Sequence, residues 1–234
     1  MTSRGPNLPY RIVAGVVPSA SAWLVASAKI AGATFAPDEP QLFSSFMEII
    51  DQRPMFDSVV INVPIGYLDS DDLHLRTCDR IAKELLGARG NVITHTPSRA
   101  AIMDPNHTHE NLDAVTIMML PRYREVATEM APYRQRQIYQ GHPELSFLEM
   151  NGGVPMKHGR FTGAGHNERR DLLIHKMQGV ERVLDVEIDR VRWHHLQEAA
   201  ALMWSARRAF TRTARRIPLE PEWDSEGLRM EYVY

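Results

Sequence analysis

The period of apolar and polar positions changes repeatedly along the chain, and each change marks an element. Arg11–Val17 is an unbroken apolar run closed by Pro18 and Ser19, which predicts a first strand. Trp23–Ile30 alternates loosely and predicts a second strand returning after a turn near Ser19-Ala20-Ser21, with Ala31–Phe35 adding a third. Together these suggest an antiparallel meander. Glu39–Gln52 places Leu42, Phe43, Phe46, Ile49 and Ile50 at helical spacing behind Asp38, a candidate N-cap. Ser58–Val63 is β-branched and apolar apart from Asn62 and stops at Pro64, the pattern of a central strand covered on both faces.

Further along, Asp69–Leu86 reads as a loop and a helix stopped by Gly87 and Gly90. Asn91–Thr94 predicts a short strand running into Pro97, and Asn111–Glu129 a helix broken at Pro121. Arg136–Gln140 predicts another short strand, and Pro143–Met150 a helix that begins with its proline and ends at Gly152-Gly153. Val154–Gly165 is a basic, Gly-containing loop before a helix over His166–Gly179. A last helix is predicted from about His194 to Arg216, with Leu196, Ala199, Met203, Ala206, Phe210 and Ala214 on one stripe. Pro218 and Pro221 end it, and Met230–Tyr234 predicts a terminal edge strand. Strands first, then alternating helices and strands, then helices, define a mixed α/β layered fold. Residues 1–10 read as a flexible lead-in and residues 11–234 as a single domain.

Composition narrows the function classes. The 234 residues are 44% hydrophobic and 24% charged, enough to build a core without disulfides or structural metal. A formal charge of −2 gives the whole chain no strong pull on nucleic acid. The single Cys, Cys78, has no partner for an internal disulfide, which fits a reducing compartment such as the cytoplasm. No apolar run approaches the ~18 residues that cross a membrane, and the first residues lack a signal-peptide core.

The candidate chemistry gathers at two strand exits, Asn62-Val63-Pro64-Ile65-Gly66 and Gln140-Gly141-His142-Pro143-Glu144, where open α/β sheets build their sites. Glu144 reads either as a metal ligand or general base, or as a carboxylate favoured at a helix start. His142 reads either as an acid/base group or as a loop-bonding histidine. Arg76, Asp79 and Arg99 form either an anion clamp or an internal ion pair. Lys157, Arg160, Arg169 and Arg170 lie in or beside the basic loop and could hold a phosphate or carboxylate. Arg208, Arg212 and Arg215 form a basic stripe, a nucleic-acid contact or a solvated helix face.

These segments, in this order, resemble a family of predicted nucleases with an RNase H-like fold, the domain of unknown function 429. The resemblance rests on Ala14-Gly15-Val16-Val17 with Trp23, on Ile61–Gly66, and on Arg76-Thr77-Cys78-Asp79 with Pro97-Ser98-Arg99. It rests also on His142–Phe147 and on Gly165–Arg169. It implies a mixed central sheet with helices on both faces, and divalent-metal phosphodiester hydrolysis. Two Mg²⁺ or Mn²⁺ ions about 3.5–4 Å apart would be held by carboxylates. The chain departs from that pattern. Val17 and Asn62 stand where the family has Asp, and His194-His195-Leu196-Gln197-Glu198 replaces an Asp-x-x-Asp-Ala-like run, so Glu144 is read as the one carboxylate retained.

Three functional expectations follow. One is an active nuclease using Glu144 with Asp57, Asp69 or Glu149. The second is a relative without that activity that binds a nucleic acid, nucleotide or other anionic ligand in the old cleft. The third is a different enzyme in which Glu144, His142, Asn62 and His194 act on a small molecule or bind another metal, with Glu144 and His194 as the metal ligands.

Overall fold

The computed structural model describes residues 9–19, 22–69, 75–104, 106–107 and 112–234. Residues 1–8 of the expected lead-in lie outside these.

Four strands open the chain: β1 (Arg11–Pro18), β2 (Trp23–Ala31), β3 (Thr34–Pro37) and β4 (Gln41–Phe43). After the helix α1 (Phe46–Asp51) come β5 (Ser58–Ile61), then α2 (Thr77–Leu86), α3 (Arg99–Met103) and α4 (Ala114–Glu129). β6 (Ile138–Gln140) leads straight into α5 (Pro143–Met150). The chain then forms α6 (Gly163–Lys176), α7 (Glu181–Leu184) and α8 (Trp193–Phe210), and ends in β7 (Arg216–Trp223) and β8 (Arg229–Val233).

The central sheet runs β3-β2-β1-β5-β6, with β4 also on β2. β2 is antiparallel to β1, whereas β5 and β6 run parallel to β1, so the sheet is mixed. This order is compatible with the expected RNase H-like arrangement. β1 alternates its side chains between two cores. Val13 and Val17 pack with Leu196, Ala199 and Met203 of α8. Ile12, Ala14 and Val16 pack with Phe46 and Ile49 of α1 and Leu120, Tyr123 and Val126 of α4. Helices therefore cover both faces. Gly15 is what lets α8 lie so close, because an added Cβ would run into the Ala199 carbonyl and the Met203 amide.

Five local expectations change. The helix expected from Glu39 begins only at Phe46, with Ser45 rather than Asp38 as its cap, because Gln41–Phe43 pairs with β2. Asn91–Thr94 forms no strand, and a 3₁₀ turn spans Gly87–Val92 instead. α4 passes unbroken through Pro121. An interior proline costs ~3 kcal/mol, and the Asp113 cap together with the burial of Leu120, Tyr123 and Val126 offsets it. α8 stops at Phe210, ahead of Arg212 in the left-handed region at φ 60. Arg216–Trp223 is then a strand despite Pro218 and Pro221, tolerated because it pairs only with β8 in a separate two-stranded sheet.

Candidate functional site

Because β1, β5 and β6 are parallel, their C-terminal ends meet on one side of the sheet. The Asn62 amide donates to the Val16 carbonyl at 2.9 Å and the Gly141 amide to the Ile61 carbonyl at 2.9 Å. The exits carrying Val17, Asn62 and His142 are thus lateral neighbours. Gln140 ties two of them together: its side-chain oxygen accepts from the Ile65 amide at 2.9 Å and from Arg76 Nη1 at 3.1 Å.

Glu144 opens α5 and is 3% exposed. Its Oε1 accepts from Arg169 Nη2 at 2.6 Å, and Arg89 Nη2 lies 3.5 Å from the same oxygen. Its Oε2 is buried with no hydrogen-bond partner among the described residues. Arg169, 1% exposed, is fixed by donating also to the His158 and Gly165 carbonyls at 3.0 and 3.1 Å.

A second carboxylate lies beside the first. Glu198, on the second turn of α8, is 6% exposed and accepts from Arg160 Nη1 at 2.7 Å. Burial pushes its carboxyl above the usual range, Arg160 opposes that, and the Glu144 charge adds to it. Glu144 is therefore accompanied at this place by a second buried carboxylate that the sequence reading does not single out. The signal was available in the sequence as the last residue of the His194–Glu198 run, masked there by two histidines and a glutamine. Three guanidinium groups (Arg89, Arg160, Arg169) face two carboxylates, leaving one positive charge in excess.

His142 caps α5: its Nδ1 accepts from the Glu144 amide at 3.2 Å, which puts the neutral ring's proton on Nε2. The ring also hydrogen-bonds the Val92 backbone. Burial, then the Arg160 charge, pushes its pKa down to about 3, so it is neutral near pH 7. His194 makes ring contacts with Phe161 (5.0 Å), Trp193 (5.4 Å) and His195 (4.1 Å between centroids). Burial first, then His195 and Arg160, lower its pKa to about 4. Phe161 is 66% exposed and lies under the Arg160 guanidinium at 4.7 Å. Asn62 is half-buried at the β5 exit, and its side chain makes no hydrogen bond among the described residues.

The other sequence candidates are engaged elsewhere. Arg76 and Asp79 form a fully buried bidentate pair at 2.9 and 2.8 Å, which Tyr232 and Thr96 complete by donating to Asp79 at 2.8 and 3.0 Å. Burial alone would raise the Asp79 pKa, but Arg76 and these hydrogen bonds hold it below the usual range. Of the two readings for Arg76 and Asp79, the geometry is that of the internal ion pair. Arg99 donates to Asp224 at 2.9 Å and stacks on Tyr67. The Lys157 side chain is exposed, while its amide donates to Glu168 at 2.7 Å. Arg170 donates to Asp185 at 2.6 Å. Asp57, Asp69 and Glu149 do not join Glu144. Asp57 accepts from the Ile12 amide at the opposite end of β1, Asp69 from Ser225, and Glu149 from Arg208. Arg215 joins the same Glu149 at 3.0 Å, so two arginines of the basic stripe are paired within the chain. Cys78 is buried, and burial drives its thiol up to about 12, which leaves it an inert core group.

The donor set does not fit the two-metal centre that the nuclease resemblance implies. Val17 has no ligand atom, Asn62 is neutral, and each carboxylate is met by a guanidinium. No group of three or more His, Cys, Asp or Glu side chains with metal-binding geometry occurs among the described residues. No described helix is long and apolar enough to cross a membrane.

The strand order and the position of this site at the parallel strand ends define a mixed α/β protein with a buried cluster of charged side chains beside its central strands. The chain belongs to the family described as "Protein of unknown function (DUF429)", whose profile matches residues 15–223. No curated protein matches it, and no solved structure does.

Proposed function

We propose that this chain is one domain over residues 11–234 whose RNase H-like cleft no longer performs two-metal phosphodiester cleavage. It binds instead a phosphate-bearing anion, a nucleotide or a nucleic-acid strand, in the same place. The observation that carries this reading is the charge arrangement. Three guanidiniums converge on two carboxylates at the strand exits, and Arg160 keeps part of its fork toward solvent at 33% side-chain exposure. Arginine's planar set of donors suits phosphate oxygens. The reading of a different enzyme built on Glu144, His142 and His194 has less support. His142 is committed to capping α5, and the pKa values of both histidines are lowered by burial.

The test is a titration of a fluorescein-labelled single-stranded oligonucleotide, with ATP as competitor, in EDTA. The reading predicts saturable binding that weakens as salt rises. Cleavage of the oligonucleotide in Mg²⁺ or Mn²⁺ that Glu144→Gln abolishes would overturn it.

A further inference from the structure

We infer that Arg160 serves as the protein's own cation at this site, bridging Glu198 to the bound anion as a divalent metal would bridge a carboxylate and a phosphate. The inference rests on the anion-binding reading for the bridging half, and on the Arg160–Glu198 geometry alone for the other.

The two ion pairs differ in kind. Arg169 is 1% exposed and locked by two backbone carbonyls, so it is a permanent counterion of Glu144 and part of the packing of α6. Arg160 belongs to the loop ahead of α6. It meets Glu198 through Nη1 at 2.7 Å, rests on the exposed Phe161 ring at 4.7 Å, and retains solvent access. Without it, Glu198 would be left beside Glu144 with no ion-pair partner among the described residues, and Glu144 Oε2 has no hydrogen-bond partner among them either. That would be a carboxylate pair able to attract a hard divalent cation, which accepts one or two carboxylates when phosphate supplies further oxygens. A guanidinium carries one positive charge with several directed donors. It can therefore hold a carboxylate on one edge and a phosphate on another, with no need for the carboxylates that Val17 and Asn62 no longer provide.

The experiment is a Mn²⁺ titration followed by electron paramagnetic resonance on wild type, Arg160→Gln, Arg160→Lys and the Arg160→Gln/Glu198→Gln double variant. All are purified without a polyhistidine tag, and their folding is checked by circular dichroism. Arg160→Gln is expected to bind Mn²⁺ at least tenfold more tightly than wild type. The gain should vanish in the double variant and be absent in Arg160→Lys, which keeps the charge. A folded Arg160→Gln protein with no gain overturns the inference. Should that variant not fold, wild type and Glu198→Gln decide. Saturable wild-type Mn²⁺ binding that Glu198→Gln removes overturns the inference, and wild-type binding unaffected by Glu198→Gln supports it. The oligonucleotide separates the two claims. If wild type binds none in EDTA while Arg160→Gln still gains Mn²⁺, the anion reading fails and the cation role of Arg160 stands.

Discussion

Arg169 Nη2 lies 2.6 Å from Glu144 Oε1, and neither side chain exceeds 3% exposure. This pair ties the middle of α6 to the start of α5. Breaking such a buried pair from one side leaves an uncompensated charge, which costs ~3–5 kcal/mol. Arg169→Gln is therefore expected to lose that much stability in urea unfolding. Arg160→Gln is expected to lose no more than about 1–2 kcal/mol, since Arg160 reaches water and Glu198 can take up a proton. Equal losses in the two variants would contradict the distinction between a structural and a functional arginine.

Asp79 sets a second stability prediction. It accepts from Arg76, Tyr232 and Thr96 at complete burial, and so joins α2, β8 and the segment before α3. Asp79→Asn strands the buried Arg76 charge and should cost ~3–5 kcal/mol. Tyr232→Phe removes only a donor and should cost ~1–3 kcal/mol. Urea midpoints of the two variants check the order.

Acid stability follows from His142. Its folded pKa is lowered, to about 3, against an ordinary value of 6.5. The unfolded chain therefore binds the proton first. The stabilising effect of the neutral ring is complete above about pH 6.5 and is lost as pH falls toward the folded value. His194, lowered to about 4, acts in the same direction. Stability should decline from pH 7 to pH 5. His142→Asn keeps a capping acceptor without a titrating group, so it should flatten that decline. An unchanged slope in urea melts at the two pH values would contradict the assignment of His142 as a neutral cap.

Gly15 predicts a steric effect. A methyl group there meets backbone atoms of Ala199 and Met203, and neither can swing aside as a side chain could. Gly15→Ala should destabilise by ~1–3 kcal/mol or more. It should also displace α8, the helix that carries Glu198, so that anion affinity falls along with the melting temperature. Melting curves and the oligonucleotide titration check both halves.

Much of this fold is legible along the chain, because β1, β2 and β5 are largely apolar runs that match their burial and α5 is bounded by Pro143 and by Gly152-Gly153. Several of the parts that are not depend on tertiary pairing. Gln41–Phe43 looks helical until β2 offers it a ladder, and Pro121 reads as a break, yet α4 runs on through it. Pro218 and Pro221 suggest the end of structure, yet a two-stranded edge tolerates them. The site is split in the same way. The strand exits are visible as Pro-terminated runs, and Glu144 stands out beside Pro143. The pairing of Glu198 with Arg160, residues 38 positions apart, and of Glu144 with Arg169, 25 apart, depends on how α5, α6 and α8 pack. No local pattern encodes that. That packing sets three guanidiniums against two carboxylates, so the cluster beside Val17 and Asn62 carries positive charge in excess.

The most direct test of the central claim is oligonucleotide anisotropy measured side by side in EDTA and in Mn²⁺, with wild type and Arg160→Gln. The account predicts saturable wild-type binding in EDTA that Mn²⁺ leaves within about twofold, since each carboxylate already has its cation. It also predicts at least a tenfold loss in EDTA for Arg160→Gln, equivalent to about 1.4 kcal/mol or more. Wild-type binding that appears only when Mn²⁺ is added, with the oligonucleotide cut as it binds, would contradict it.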